Sequence, residues 1–176
     1  MSTHAGLVTV AEFLRLPDPK EGHYELRHGE VVLVPPPKWE RHLIQLRIQM
    51  SIMSLTRGLG MAGVETPFRP TREHEVWVAD VAFIAAGRVE ATPQDDYLAG
   101  APDLVAEVLS PGNTADEIND RMSICLDNGC RSFWVVDPRR RRLSVTEGDL
   151  TRHYGIDSRF SCDVPGGTVT IREFFE

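Results

Sequence analysis

Apolar residues along this chain recur in two rhythms, and the rhythm changes mark the elements. From Trp39 to about Leu55 they fall at helical spacing: Trp39, Leu43, Leu46, Met50 and Met53 form one stripe, and Ile44, Ile48, Ile52 and Leu55 a second that widens the buried face. That spacing predicts a long helix closed near Gly58, with both stripes serving as core or as a dimer interface. A second helix is predicted after Thr114-Ala115-Asp116-Glu117, whose Ser/Thr-x-x-Glu spacing is that of a capping box. Ile118, Met122 and Cys125 give it an apolar face that ends at Asn128-Gly129. Thr9-Val10-Ala11-Glu12 opens a short helix that Pro17 stops.

Between the helices the pattern reads as strands. His23–Leu26 and Glu30–Val34 form a hairpin turning at His28-Gly29, and Pro35–Pro37 ends it. Further strands are expected around 62–69, 75–85, 103–109, Ser132–Val136, Leu143–Thr146, Thr151–Tyr154 and Thr168–Ile171. A loop rich in Pro, Asp and Gly is expected up to about residue 101, and Phe174 and Phe175 pack the terminus. The sum is a mixed β-sheet flanked by helices, α/β or α+β, with no linker or repeat dividing residues 1–176 into more than one domain.

Two of these strands contain acids among β-formers. In Pro102-Asp103-Leu104-Val105-Ala106-Glu107-Val108-Leu109-Ser110-Pro111, alternation places Asp103, Val105, Glu107 and Leu109 on one face. Val76–Ile84 likewise carries Asp80 in its middle. A charge within a core strand costs several kcal/mol unless it is paired or bound to a cation. Acids on two such strands suggest a hard-cation site built on a sheet.

Composition narrows the function classes. A net charge of −7 argues against a surface that coats nucleic acid throughout, though not against a local basic groove. Cys125, Cys130 and Cys162 include no pair at zinc spacing and leave one thiol over in any disulfide scheme, so a reduced, cytoplasmic setting fits. No apolar run reaches the roughly 18–20 residues of a membrane span. No Gly-rich phosphate loop follows a strand, which leaves a nucleotide cofactor without support.

Tyr24-Glu25-Leu26 with Gly29-Glu30, Pro35–Pro37 with His42, Ala79-Asp80-Val81-Ala82-Phe83, the 102–111 strand, and Gly129-Cys130-Arg131-Ser132-Phe133-Trp134-Val135-Val136-Asp137-Pro138 follow one another along the chain. This order of motifs resembles a large bacterial family of restriction-endonuclease-type proteins within the PD-(D/E)XK nuclease superfamily. It implies a restriction endonuclease-like fold that hydrolyses DNA phosphodiesters with Mg²⁺ or Mn²⁺. Asp80 and Glu107 would be the metal ligands, Glu25 an additional acid near the metal or its water, and Arg121 a stabiliser of the transition state. A homodimer suits a duplex with two antiparallel strands.

Two departures matter. Ala79 stands where the family has Pro, and Arg121 stands where it has Lys. Arg cannot shuttle a proton and its fork needs different space. This substitution and the acidic net charge keep open a catalytically weakened domain that binds nucleic acid or protein. Arg121 also follows Glu117 by four residues, the spacing of an exposed helix ion pair. Asp103 is a candidate third ligand or a turn-ordering residue, and His42 a candidate base or a packing residue. The run Arg139, Arg140, Arg141, Arg142 is either a DNA-contacting loop or a solvated hairpin tip.

Overall fold

The computed structural model describes residues 6–71 and 73–176. Eleven strands and four α-helices follow in chain order: α1 (Val10–Phe13), β1 (His23–Arg27), β2 (Glu30–Val34), α2 (Trp39–Thr56), β3 (Gly60–Arg69), β4 (Trp77–Ala85), α3 (Ala86–Ala91), β5 (Leu98–Ala99), β6 (Leu104–Val108), α4 (Ala115–Asp127), β7 (Ser132–Asp137), β8 (Arg142–Glu147), β9 (Leu150–Gly155), β10 (Arg159–Cys162) and β11 (Gly167–Thr170). A 3-10 turn, Ile171–Phe174, ends the chain.

Seven strands form the central sheet in the order β5-β3-β4-β6-β7-β8-β9. Only β3/β5 and β6/β7 run parallel. The β6–α4–β7 segment is the crossover that a parallel pair requires. The mixed sheet with flanking helices and the N-terminal hairpin agree with the sequence pattern. In that hairpin His28 and Gly29 both have positive φ, 51° and 75°, which suits the two-residue turn whose twist matches the strands.

Both sheet faces are covered. On one side Ile44, Ile48 and Ile52 of α2 pack with Val81, Phe83, Leu104 and Ala106 and with the β10/β11 hairpin. Trp134 is fully buried there, its ring edge-on to Phe160 at 5.5 Å and stacked on Phe174 at 6.1 Å. On the other side Cys125 of α4 packs with Phe68, Trp77, Val105 and Phe133. All three cysteines are buried free thiols. No helix among the described residues is long and apolar enough to cross a membrane.

Three expectations change. The loop before residue 101 contains α3 and β5, and β10 supplies a partner for β11 that the sequence pattern did not suggest. Only one of the two apolar stripes of α2 enters the core: Trp39, Met50 and Met53 of the other remain 72%, 62% and 45% exposed. Periodicity finds apolar faces but does not say which one the sheet takes.

The open edge of β3 is managed by α2. Gln49 donates through Nε2 to the Ala62 carbonyl at 2.9 Å, and the Ala62 amide donates to Met53 Sδ at 3.3 Å. Side chains thereby occupy groups that could otherwise recruit a foreign strand.

Candidate active site

The acids converge where β4 and β6 part. Val81 lies opposite Ala106 in their antiparallel register, which brings Asp80 level with Glu107. The Val108 amide donates to Asp80 Oδ2 at 2.7 Å, so Asp80 closes over the end of β6 beside Glu107. Glu25, brought in by the N-terminal hairpin, accepts from the Val78 amide at 2.8 Å. The hairpin is fixed to β4 by the paired Leu26 and Val76 backbones and to α4 by His28 and Asp120, 2.9 Å apart. Glu25, Asp80 and Glu107 are only 1%, 4% and 5% exposed.

Arg121 joins the acids from α4. Its Nη2 donates to Glu25 Oε1 at 2.9 Å and to the Val78 carbonyl at 2.7 Å, and its Nε stands 3.1 Å from Glu107 Oε1. The guanidinium lies over the Trp77 ring, 5.1 Å from its centre. Its partners are therefore Glu25 and Glu107, in place of the surface ion pair with Glu117 that the spacing allowed. Glu117 instead caps its own helix through Thr114.

Four further polar residues complete the cluster and were not singled out by sequence. Arg41 of α2 clamps Asp80 through Nε at 3.2 Å and Nη2 at 2.5 Å. Gln45 bridges Asp80 Oδ1 at 3.0 Å and Glu65 Oε1 at 2.7 Å. Arg27 donates to Glu25 Oε2 at 2.6 Å. Gln45 did leave a trace in the sequence: it is a lone amide beside the Ile44, Ile48, Ile52 stripe, and it is fully buried. Glu65 sits in β3 at φ 46°, a conformation no strand pattern announces.

Charge accounting explains the electrostatics. Glu25, Glu65, Asp80 and Glu107 face Arg27, Arg41 and Arg121, an excess of one negative charge in a buried setting. Burial, the largest single influence, would push the Glu25 carboxyl up, but the charge and hydrogen bond of Arg121, with His23 and Arg27, together outweigh it and hold Glu25 well below the usual range. Glu107 takes the deficit. Burial first, and then the neighbouring Asp80 and Glu25, push its carboxyl up to about 8 against the pull of Arg121. Its buried Oε1 has no hydrogen bond of good geometry, despite the nearby Arg121 Nε.

A divalent cation fits this donor set. Asp80 and Glu107 are hard oxygen ligands, Glu107 has an unsatisfied buried oxygen, and the acids of the cluster outnumber its arginines by one. Among the described residues no three His, Cys, Asp or Glu side chains are grouped to hold a metal. Mg²⁺ commonly binds through one or two carboxylates and completes its shell with water and substrate phosphate oxygens.

Two clefts flank the acids. One, of about 570 Å³, is lined by Glu107, Arg121, Trp77, Arg27 and several acids of α4. The other, of about 500 Å³, runs along Pro35–Pro37 and carries Lys38, Arg41 and Arg139 against one acid, Glu40.

The remaining candidates lie elsewhere. Asp103 stands at the opposite end of β6, where it accepts from the Ala85 amide at 2.9 Å and from Arg88 Nη1 at 3.2 Å; this is a turn-ordering role. His42 is half-buried beside Trp39, the rings 6.2 Å apart, and touches none of the three central acids. Of the arginine run, Arg139 lines the basic cleft, Arg140 pairs with Asp137, Arg141 pairs with Glu176, and Arg142 begins β8.

Residues 10–165 match the model of a family described as Uma2, "Putative restriction endonuclease". A crystal structure of a putative nuclease belonging to DUF820 from Anabaena variabilis is similar in fold. Its TM-score is 0.80, with 21% identity over 96% of this chain and 97% of that one. No curated protein matches the chain.

Proposed function

This chain belongs to the Uma2 family, and from that premise we propose that it is a metal-dependent endonuclease hydrolysing DNA phosphodiester bonds within one nuclease-type domain. The observation that carries the reading is the buried excess of carboxylate at Asp80, Glu107 and Glu25, assembled from two sheet strands and a hairpin and reached from one cleft through Glu107. A structural ion-pair network would balance its charges.

Asp80 and Glu107 would hold Mg²⁺ or Mn²⁺. The cation, when bound, supplies Lewis acidity at phosphorus and lowers the pKa of water. The protein's own groups position and stabilise. The phosphate backbone approaches along the basic cleft, where Lys38, Arg41 and Arg139 offer charge. Arg121, held by Glu25 and by the Val78 carbonyl, keeps a guanidinium at the rim of the site for charge developing on the phosphoryl oxygens. Water forms the new P–O bond and gives up a proton, the opposite P–O bond breaks, and the departing alkoxide takes up a proton, so the alcohol leaves neutral. Arg121 remains protonated throughout, since the charges of Glu107 and Glu25 overcome the opposing effect of burial and raise its pKa further.

A second reading rests on the way Arg41 and Arg121 already neutralise Asp80 and Glu25. Such pairing favours a weakened nuclease that binds DNA or protein through this face. A supercoiled-plasmid nicking assay with Mn²⁺ separates the two. Nicking by the wild type and none by Glu107→Ala is expected. No nicking by either, with DNA still retained, overturns catalysis in favour of binding.

A further inference from the structure

The outward stripe of α2 follows an unbroken 4-3-4-3 spacing, Trp39, Leu43, Leu46, Met50, Met53, with Trp39, Met50 and Met53 exposed and Leu43 and Leu46 half-buried. These five positions lie on the side of the helix opposite Ile44, Ile48 and Ile52, which fill the core. The helix is thus apolar on both faces, as expected of one covered on both. Heptad spacing identifies the missing cover as another helix, because a and d positions seat in the gaps of a facing helix.

We infer that the cover is the α2 of a second copy, packed antiparallel across a two-fold axis. The flanking charges select this partner. With Leu43 layered on the partner subunit's Leu46, Trp39 falls on the partner subunit's Met50, and the two-fold repeats both layers. Glu40 and Arg47 share one flank of the seam, one heptad apart. In an antiparallel pairing such flank positions face each other between the same two layers, so Glu40 meets the partner subunit's Arg47, twice over. On the other flank His42 meets the partner subunit's Gln49, and no like charges oppose. Neither Glu40 nor Arg47 makes an ion pair within the chain among the described residues. A parallel pairing would instead set each flank against the other, so His42 would meet the partner subunit's Arg47 and Glu40 would lose its cation.

Association measured on the full chain tests this by sedimentation equilibrium. The wild type is expected at twice the 19.7 kDa of one chain at micromolar concentration. Met50→Glu, at a position exposed enough to leave folding intact, is expected to give monomers with an unchanged circular dichroism spectrum. Glu40→Arg or Arg47→Glu alone should weaken the dimer by about tenfold or more, and the double exchange should restore it. A wild-type monomer, which would leave the stripe to a different protein, overturns the inference. So does a dimer indifferent to Met50→Glu, or a double exchange no tighter than the singles. Each outcome is independent of whether the protein cleaves DNA.

Discussion

Replacing Arg121 by Met tests the architecture of the acid cluster. The substitution keeps apolar contact with Trp77 but removes the partner of Glu25 at 2.9 Å and the neighbour of Glu107 at 3.1 Å. Breaking a buried pair typically costs about 3–5 kcal/mol, because the other charge stays buried without compensation. The Arg121 side chain is 12% exposed, which places the expectation near the lower end. Glu107, pushed up to about 8, is largely protonated at neutral pH already, so Glu25 bears most of the loss. For a chain of 176 residues, each kcal/mol moves Tm by roughly 2–4 °C, giving a drop on the order of 6–12 °C.

The pH dependence has a definite sign. In the wild type Glu25 is held below its ordinary 4.5, so its contribution is present above that value and is lost only as pH falls through the lower, folded one. Without Arg121 only His23 and Arg27 oppose burial, so the Glu25 carboxyl rises from its depressed value and the stability that the depression supplies above 4.5 shrinks. Urea unfolding followed by the fluorescence of buried Trp77 and Trp134 should therefore show a deficit that is full near neutrality and shrinks as pH falls below about 4. Adding Glu25→Gln to Arg121→Met should recover a substantial part of it. A loss within about 0.5 kcal/mol at every pH, the worth of an exposed helix pair, would refute the cluster.

Other outcomes follow from the same geometry. Glu107→Gln should flatten a pH slope: the folded wild type keeps a proton that the unfolded chain releases above 4.5, so stability without metal falls as pH rises towards about 8. Near neutrality the variant should be more stable by about 2–3 kcal/mol in urea unfolding, and an unchanged slope contradicts the charge excess. Arg41→Ala removes the guanidinium from Asp80 and leaves it only Gln45 and the Val108 amide, and calorimetry should record tighter Mn²⁺ binding while DNA affinity falls. Gln49→Ala uncovers the Ala62 carbonyl on the β3 edge, and light scattering should detect faster aggregation with little loss of Tm.

Sequence pattern reached the sheet, the long helices, Asp80 and Glu107 because each left a local mark, whereas the roles of Glu25 and Arg121 came from the family resemblance alone. Asp80 and Glu107 interrupt apolar strands, and the His28-Gly29 turn announces the hairpin that delivers Glu25. Arg41, Gln45 and Glu65 left fainter marks. Their roles depend on α2 crossing the sheet at one angle and on a positive φ within β3, both tertiary outcomes. Asp103 illustrates the converse. Alternation placed it on the face of Glu107, but the far end of β6 meets Arg88 of α3, a helix that the pattern had left as loop.

The most direct measurement is anomalous scattering from a crystal grown with Mn²⁺. A single strong peak about 2 Å from carboxylate oxygens of both Asp80 and Glu107, with Arg41 withdrawn from Asp80, is the expected result. Arg41 still seated on Asp80 and no peak between the two carboxylates would contradict the account.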